Sequence, residues 1–496
     1  MRKLSKSKIL AYRQCPRRLW LELHRPELKD DSAAEAVFAI GNEVGGVARQ
    51  VYDENGEGVF LDLDEIGFAQ SFARSRELLA EGRIPVFEAG LETDGALAFA
   101  DVMLPEGGYD SSRWHMIEVK ASTSVKDYQR DDIALQAWVA ESAGVELASI
   151  SLAHVNNSFV YPGGGDYRGL LTEVDFTDEA KSRRSEVEEW LAGAQTVAAL
   201  TEEPDIAVGD HCGNPYRCSF CAHCGTTADD DVEYPLSSLP RFGAGKAVAV
   251  EALGIADLRE VPDEFLSDNQ RWVRDVTRTG EAWFDAEGAA ADLAGLGFPA
   301  RFLDFETVMF GVPVWKGARP YQQIPFQFSL HRLDESGHLG HEAFLDLSGG
   351  DPSEALAHAL IDGCGQHGPI FVYNAGFEKR ILRELGERFP ELAPALQGII
   401  SRVVDLYPIA KNRFYHPDQH GSWSLKRVLP AVCPDLSYGE LAGVADGGMA
   451  VDAFHEALAP ETTSERREAI ERELLAYCHL DTLGLVRMWE VFMGRC

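Results

Sequence analysis

The chain has 496 residues, long for a single hydrophobic core, and at 45% hydrophobic it can bury two or three. Its 80 acids against 46 Lys and Arg give a net charge of −34, which argues against a protein that coats nucleic acid through a uniformly basic surface. No secretory signal and no apolar span of about 20 residues is read, so the expectation is a reducing, cytoplasmic location with no membrane partner and no disulfides.

The first 20 residues oppose this acidic average, with seven Lys or Arg and no acid. Within them Tyr12, Cys15, Pro16, Arg17, Arg18 and Trp20 form a compact motif. Gly41, Asn42 and Glu43 follow in a helical pattern. Ala98 to Leu104 reads as a strand carrying Asp101, and Trp114 to Lys120 as a second strand. Alternation places Glu118 and Lys120 on one face of that strand. A polar loop and an apolar helix containing Gln136 come next. An isolated E-x-K is most simply a surface ion pair. In the order Asp101, Glu118-x-Lys120, Gln136 it resembles the PD-(D/E)xK nucleases of the RecB group. The resemblance implies a restriction-endonuclease-like fold in which Asp101 and Glu118 hold metal, Lys120 polarises water or phosphate, and Gln136 helps to position them. Family members often carry a His in an early G-x-x-x-H helix; Gly41 to Gly45 has none here, and Glu43 is the residue that could substitute.

Four of nine cysteines cluster as Cys212, Cys218, Cys221 and Cys224. In a reducing compartment such a cluster favours metal ligation. The early Cys15 motif joined to late cysteines beyond the nuclease motifs resembles the iron–sulfur clasp of Cas-four-like and AddB-type nucleases. It implies a [4Fe–4S] cluster on Cys15, Cys212, Cys218 and Cys224, with Cys221 able to replace Cys218 or Cys224. The alternative is zinc on Cys212, Cys218, Cys221 and Cys224, which leaves Cys15 unexplained. Cys364, Cys433, Cys478 and Cys496 have no partner spacing and read as buried or terminal thiols.

Residues 226–240 read as a hinge. From 243 to about 299 the pattern is of short helices, read first as a packing connector, with a helix-hairpin-helix DNA-binding element as the alternative. Beyond it, Arg301 to Val308 is an apolar strand whose alternation puts Asp304 and Glu306 on one face, about 7 Å apart. Such a pair repels unless a cation intervenes, and hard oxygens select Mg²⁺ or Mn²⁺. Ile370 to Tyr373 is a second strand, ending at Asn374 and Gly376 and leading into a helix with Glu378 in its first turn. Asp405 ends another strand, and Gly421 to Lys426 follows. On a late helix Tyr477 and Asp481 are four apart and share a face.

This series resembles the DnaQ-like (DEDD) 3′–5′ exonucleases, on an RNase H-like fold. It implies two metals held by Asp304, Glu306, Glu378 and Asp481, with Tyr477 orienting the attacking water. Glu378 departs from the usual Asp by one methylene. The whole chain, including Arg319 to Ser329, resembles an uncharacterised bacterial and archaeal family that joins the two nuclease types. The expected α/β organisation is a nuclease domain at 1–228, a connector at 229–298 and an exonuclease domain at 299–496. The expected function is metal-dependent hydrolysis of DNA, ahead of RNA, at ends or on single strands, in repair, recombination or defence. The alternative is a nucleic-acid-binding or scaffold protein with one or both centres inactive.

Overall fold

The computed structural model describes residues 2–30, 35–106, 113–225, 232–441 and 443–495. The first part of the expected hinge, 226–231, and Cys496 lie outside the described residues. The chain is mixed α/β and divides into two compact units, each built on a mixed sheet with helices packed against it. The first unit is Met1–Thr226 with Phe310–Tyr321, and the second is Thr227–Met309 with Gln322–Cys496.

In the first unit the strands are β1 (Leu4–Ser5), β2 (Val59–Phe60), β3 (Val86–Glu92), β4 (Ala96–Glu106), β5 (Arg113–Lys120), β6 (Glu146–Val155) and β7 (Leu171–Asp175). They lie in the order β2-β3-β4-β5-β6-β7, with β1 alongside β4. β3, β4 and β5 form an antiparallel meander, and β6 returns parallel to β5. A parallel return needs a crossover, which the helix Asp127–Ser142 supplies. Along β4 the even residues Ala96, Ala98, Ala100 and Val102 are buried, which turns Asp101 to the opposite face. Two N-terminal helices, α1 (Lys6–Gln14) and α2 (Pro16–His24), meet at the extended Cys15. Pro16 sits at the first helical position, where a missing N–H is tolerated.

Residues 310–321, expected within the C-terminal domain, cluster with this first unit. Val312 is buried with Val44, Val47, Val155 and Leu170. The main chain is tied as well, Tyr161 N donating to Ala318 O at 3.0 Å and Gly317 N to Tyr161 O at 2.8 Å.

The second unit contains β8 (Trp283–Phe284), β9 (Ala300–Val308), β10 (Ile324–Leu333), β11 (Leu339–Leu345), β12 (Ile370–Val372), β13 (Val403–Asp405) and β14 (Phe414–Tyr415). Its five-stranded sheet runs β11-β10-β9-β12-β13, and β8 pairs with β14 in a separate ribbon. β9, β10 and β11 are antiparallel, whereas β12 and β13 run parallel to β9. The alternation read in the sequence sorts β9 onto two cores. Leu303 and Phe305 pack with Ile381 and Leu382, and Phe302 packs with Leu485 and Trp489 of the 29-residue helix Ser464–Phe492. Gln327 Nε2 donates to the Leu474 carbonyl at 2.8 Å, pinning that helix across β10. The region expected as a connector shares this core through Val273, Ala289 and Leu293. Among the described residues no helix is long and apolar enough to cross a membrane.

Candidate active sites

Three elements bring acids together in the second unit. Asp304 and Glu306 share a face of β9, the face that carries Phe302 toward the C-terminal helix. Glu378 lies in the first turn of the helix Gly376–Arg388 and is buried. The turn before it is held by Asp405 at the end of β13. Asn374 N and Tyr407 N each donate to Asp405 Oδ1 at 2.9 Å, and Ala375 N donates to Oδ2 at 3.0 Å. Asn374 adopts φ 72°, a left-handed conformation that Asn tolerates better than most residues. Asp405 is therefore a positioning residue, spent on three main-chain donors. Asp481 is buried on the helix Ser464–Phe492, one turn beyond Tyr477.

Like charges in this space disfavour ionisation. Burial first, then the charges of Asp481, Glu306 and Glu378, push Asp304 well above its ordinary value. Burial and Asp481 push Glu306 up to about 8. Burial pushes Glu378 up to about 8, and its Oε2 is enclosed without a hydrogen-bond partner. Asp481 rises to about 6 through burial, restrained by the Tyr438 hydroxyl, by Lys426 and by Tyr477. The Tyr438 hydroxyl donates to Asp481 Oδ1. Lys426 Nζ lies 5.8 Å and 5.4 Å from the ring centroids of Tyr438 and Tyr477 and donates to Ala445 O at 3.0 Å. Ligand atoms of Asp304, Glu306 and Cys478 lie within 4.8 Å of one another. Burial and the surrounding acids push the Cys478 thiol far up, so the carboxylates remain the hard donors. Repelling carboxylates, one with an orphaned oxygen, fit a divalent cation held by oxygen. Tyr438 was missed in the sequence because it lies in a short turn, Tyr438–Glu440, with no periodic signal. Cys478 was read only as a buried thiol.

In the first unit Asp101, Glu118, Lys120 and Gln136 come together with three residues the sequence did not single out: Lys6, Glu88 and Asp132. Lys120 Nζ donates to Glu118 Oε1 and to Asp132 Oδ2. Lys6 Nζ lies 2.8 Å from both Glu118 Oε1 and Asp132 Oδ1, and 3.3 Å from Gln136 Oε1. Gln136 Nε2 donates to the Phe99 carbonyl. Asp101 Oδ2 accepts from Val119 N at 2.6 Å. Asp132 and Gln136 share a helix face, an i, i+4 signal hidden by the surrounding apolar run. Glu88, at φ 56°, interrupts the β3–β4 register opposite Asp101. No strand periodicity anticipates a left-handed residue that leaves one pair of the ladder open.

Burial first, then Asp101, raises Glu118 to about 7, and burial with Glu88 raises Asp101 to about 6 against Lys6 and Lys120. Burial raises Asp132 too, but Lys120 and Lys6 outweigh it and hold that carboxyl below the usual range. Glu118 Oε2 is buried with no hydrogen-bond partner, an oxygen available to a cation. Glu43 is exposed on the helix Glu35–Tyr52, and its charge acts on Tyr167 and Tyr321.

All five clustered cysteines, Cys15, Cys212, Cys218, Cys221 and Cys224, line one small cavity beside Arg17 and Arg18. All are free thiols. Cys218 N donates to Cys212 O at 2.8 Å, folding the loop back on itself. Burial raises Cys224 to about 11 against the nearby Arg17 guanidinium. Convergent thiols next to two guanidiniums fit a metal group of net negative charge. Cys364, Cys433 and Cys478 are buried.

A family model described as a domain of unknown function (DUF2779) matches residues 301–424. The matched segment contains Asp304, Glu306, Glu378 and Asp405 and ends before Tyr477 and Asp481. No curated protein matches the chain.

Raised carboxyl groups fix a sign for the pH dependence of the metal-free protein. The stability they contribute is complete below the unfolded value of about 4 and is lost as pH rises through about 6 for Asp101 and Asp481, about 7 for Glu118 and about 8 for Glu306 and Glu378. Thermal unfolding of chelator-treated protein is expected to fall by several degrees between about pH 5 and about pH 8. Mn²⁺ should recover the loss at the upper end. A melting temperature that is flat with pH and indifferent to Mn²⁺ would contradict the electrostatic picture.

Proposed function

We propose that the chain is a metal-dependent nuclease acting on DNA ends or single strands, with two hydrolytic centres and a [4Fe–4S] clasp. The observation that carries this is the convergence of Asp304, Glu306, Glu378 and Asp481 from three elements, with Glu378 Oε2 buried and unpaired. Support comes from the sheet around them. Three antiparallel strands followed by two parallel ones, in the order β11-β10-β9-β12-β13, agree with an RNase H-like, DnaQ-type fold. The β3-β4-β5 meander, crossover helix and parallel β6 agree likewise with a PD-(D/E)xK core.

Asp304, Glu306, Glu378 and Asp481 would hold Mg²⁺ or Mn²⁺ in the second unit, and Asp101 and Glu118 would do so in the first. When bound, such ions neutralise charge on the attacking and leaving oxygens of a phosphodiester and acidify the nucleophilic water. The residues prepare for this. Asp405 fixes the turn that presents Glu378, and the Tyr438 hydroxyl fixes one oxygen of Asp481. Tyr477, whose hydroxyl interacts with Asp481, would orient the attacking water. Lys426 supplies positive charge next to Glu306 and Asp481. In the first unit Lys120 bridges Glu118 and Asp132 and can turn its ammonium to a phosphate oxygen. The −34 net charge makes DNA binding weak and salt-sensitive, dependent on local basic stretches such as residues 1–20.

One observation favours the alternative for the first unit, a centre that binds without cutting. Lys6 already offers a cation to Glu118 and Asp132, doing the neutralising work of a metal. For the clasp, a lone zinc at about 2.3 Å from each thiolate requires sulfurs about 3.8 Å apart. The inclusion of Cys15 in the cavity, which a zinc on the other four leaves unexplained, favours a cluster.

Degradation of end-labelled single-stranded DNA in Mn²⁺, with chelator as control, tests the activity. Asp304→Asn is expected to lower 3′–5′ cleavage by at least about a hundredfold while the chain stays folded, because it removes a ligand and relieves repulsion. Lys120→Ala should leave that activity intact and remove only cleavage arising in the first unit. Full activity in Asp304→Asn would overturn the assignment of the C-terminal centre.

Anaerobically purified protein is expected to be brown, with about four irons per chain. Cys15→Ser should bleach it and destabilise the first unit. Colourless protein with one zinc, unaffected by Cys15→Ser, would instead support the zinc alternative.

A further inference from the structure

Three histidines outside both acid centres converge in the second unit. His331 on β10 and His341 on β11 are direct cross-strand partners, and His479 reaches them from the helix Ser464–Phe492. Their ring centroids are 4.4–4.7 Å apart, and one nitrogen from each lies within 4.8 Å of the others. His331 is buried, His479 half-buried and His341 exposed, so the cluster is open to solvent on one side. In sequence the three are spread over nearly 150 residues and have no ligand spacing.

A hydroxyl pair behind the His331 and His341 rings orients these two. Ser329 Oγ lies 2.6 Å from Thr482 Oγ1, His341 Nε2 lies 2.9 Å from Ser329 Oγ, and His331 Nδ1 lies 2.8 Å from Thr482 Oγ1. Thr482 also has the carbonyls of Cys478 and His479 within reach, at 3.4 and 3.2 Å. With the Thr482 proton on a carbonyl, Ser329 donates to Thr482, His341 Nε2–H donates to Ser329 and His331 Nδ1–H donates to Thr482. Each ring is then left with its other nitrogen as a free lone pair. Hydroxyls or carbonyls that fix the tautomer in this way are the usual outer shell of a metal-bound imidazole. Burial first, then the two neighbouring rings, pushes His331 down to about 3, so it is neutral at ordinary pH.

We propose that His331, His341 and His479 form a binding site for a borderline divalent transition-metal ion of the Zn²⁺ class, separate from the carboxylate centre. Three imidazoles suit such an ion, whereas Mg²⁺ prefers oxygen. A tetrahedral ion about 2.0–2.1 Å from each nitrogen requires nitrogens about 3.4 Å apart. The nitrogens lie within 4.8 Å of one another, so a small inward shift on the solvent-facing side closes the remaining distance. A fourth position faces solvent and can take water or a ligand. The ion would cross-link two strands to the helix, within the same turn that carries Tyr477 and Asp481. Ser329 lies directly opposite Asp304 in the sheet, so the two sites share a strand pair. The site does not depend on whether the carboxylate centre hydrolyses DNA.

Cobalt titration of the metal-free full-length chain tests this, with the spectrum distinguishing the ligands. Imidazole ligation is expected to give, beyond any Co²⁺ taken by the clustered cysteines, visible ligand-field bands for one further Co²⁺ with no added thiolate charge transfer. One equivalent of Zn²⁺ should displace it, and excess Mg²⁺ should not. His341→Ala, a change at an exposed residue, should melt like wild type without metal yet lose those bands and the rise in melting temperature that Zn²⁺ gives wild type. Its affinity should fall by more than the roughly 10–100-fold typical of outer-shell changes. His479→Ala should behave in the same way, so that a folding defect in either variant leaves the other as the test. Bands that persist in His341→Ala, that show only thiolate charge transfer, or that vanish in Mg²⁺ would each overturn the proposal.

Discussion

Four carboxylates gathered around β9 of a five-stranded sheet, three of them buried and Asp304 half-buried, are the constraint on which the second unit turns. Burial makes this space hostile to charge and raises all four carboxyls, and like charge from their neighbours adds to the rise of Asp304 and Glu306. A fold retains such a cluster only if its framework holds the carriers in place. Here Phe302 and Leu485 pack the strand to the helix on one face, while Leu303 and Ile381 pack the strand to the Glu378 helix on the other. Asp405 locks the turn before Glu378, and Gln327 ties the sheet to the Leu474 carbonyl.

The first unit manages the same problem differently. Its acids Glu118 and Asp132 are bridged by two lysines, so much of the repulsion is neutralised within the chain. Asp101 and Glu88 stand nearer to the unneutralised condition. The proposed difference between the centres is thus electrostatic. One relies on an external cation, whereas the other must share its acids with Lys6.

Local periodicity made much of this legible in the sequence. Two-residue alternation gave the faces of β5 and β9 and paired Asp304 with Glu306, and four-residue spacing paired Tyr477 with Asp481. Asn374 and Gly376 marked the end of one strand, and Glu378 falls in the first helical turn as read. What stayed hidden depended on tertiary approach. Lys6 comes from the first helix, Glu88 from a strand irregularity, and Tyr438 from a short turn. The histidines meet only once β10, β11 and the last helix are assembled. Residues 310–321 follow β9 directly yet pack with the first unit, an exchange that a linear division at 299 does not reveal.

The central claim is that the Asp304 cluster holds a pair of divalent ions, and anomalous diffraction from crystals of the full chain grown in Mn²⁺ tests it most directly. The account expects two manganese peaks about 3.5–4 Å apart, ringed by Asp304, Glu306, Glu378 and Asp481. Manganese bound only elsewhere, with those carboxylates left unligated, would contradict it.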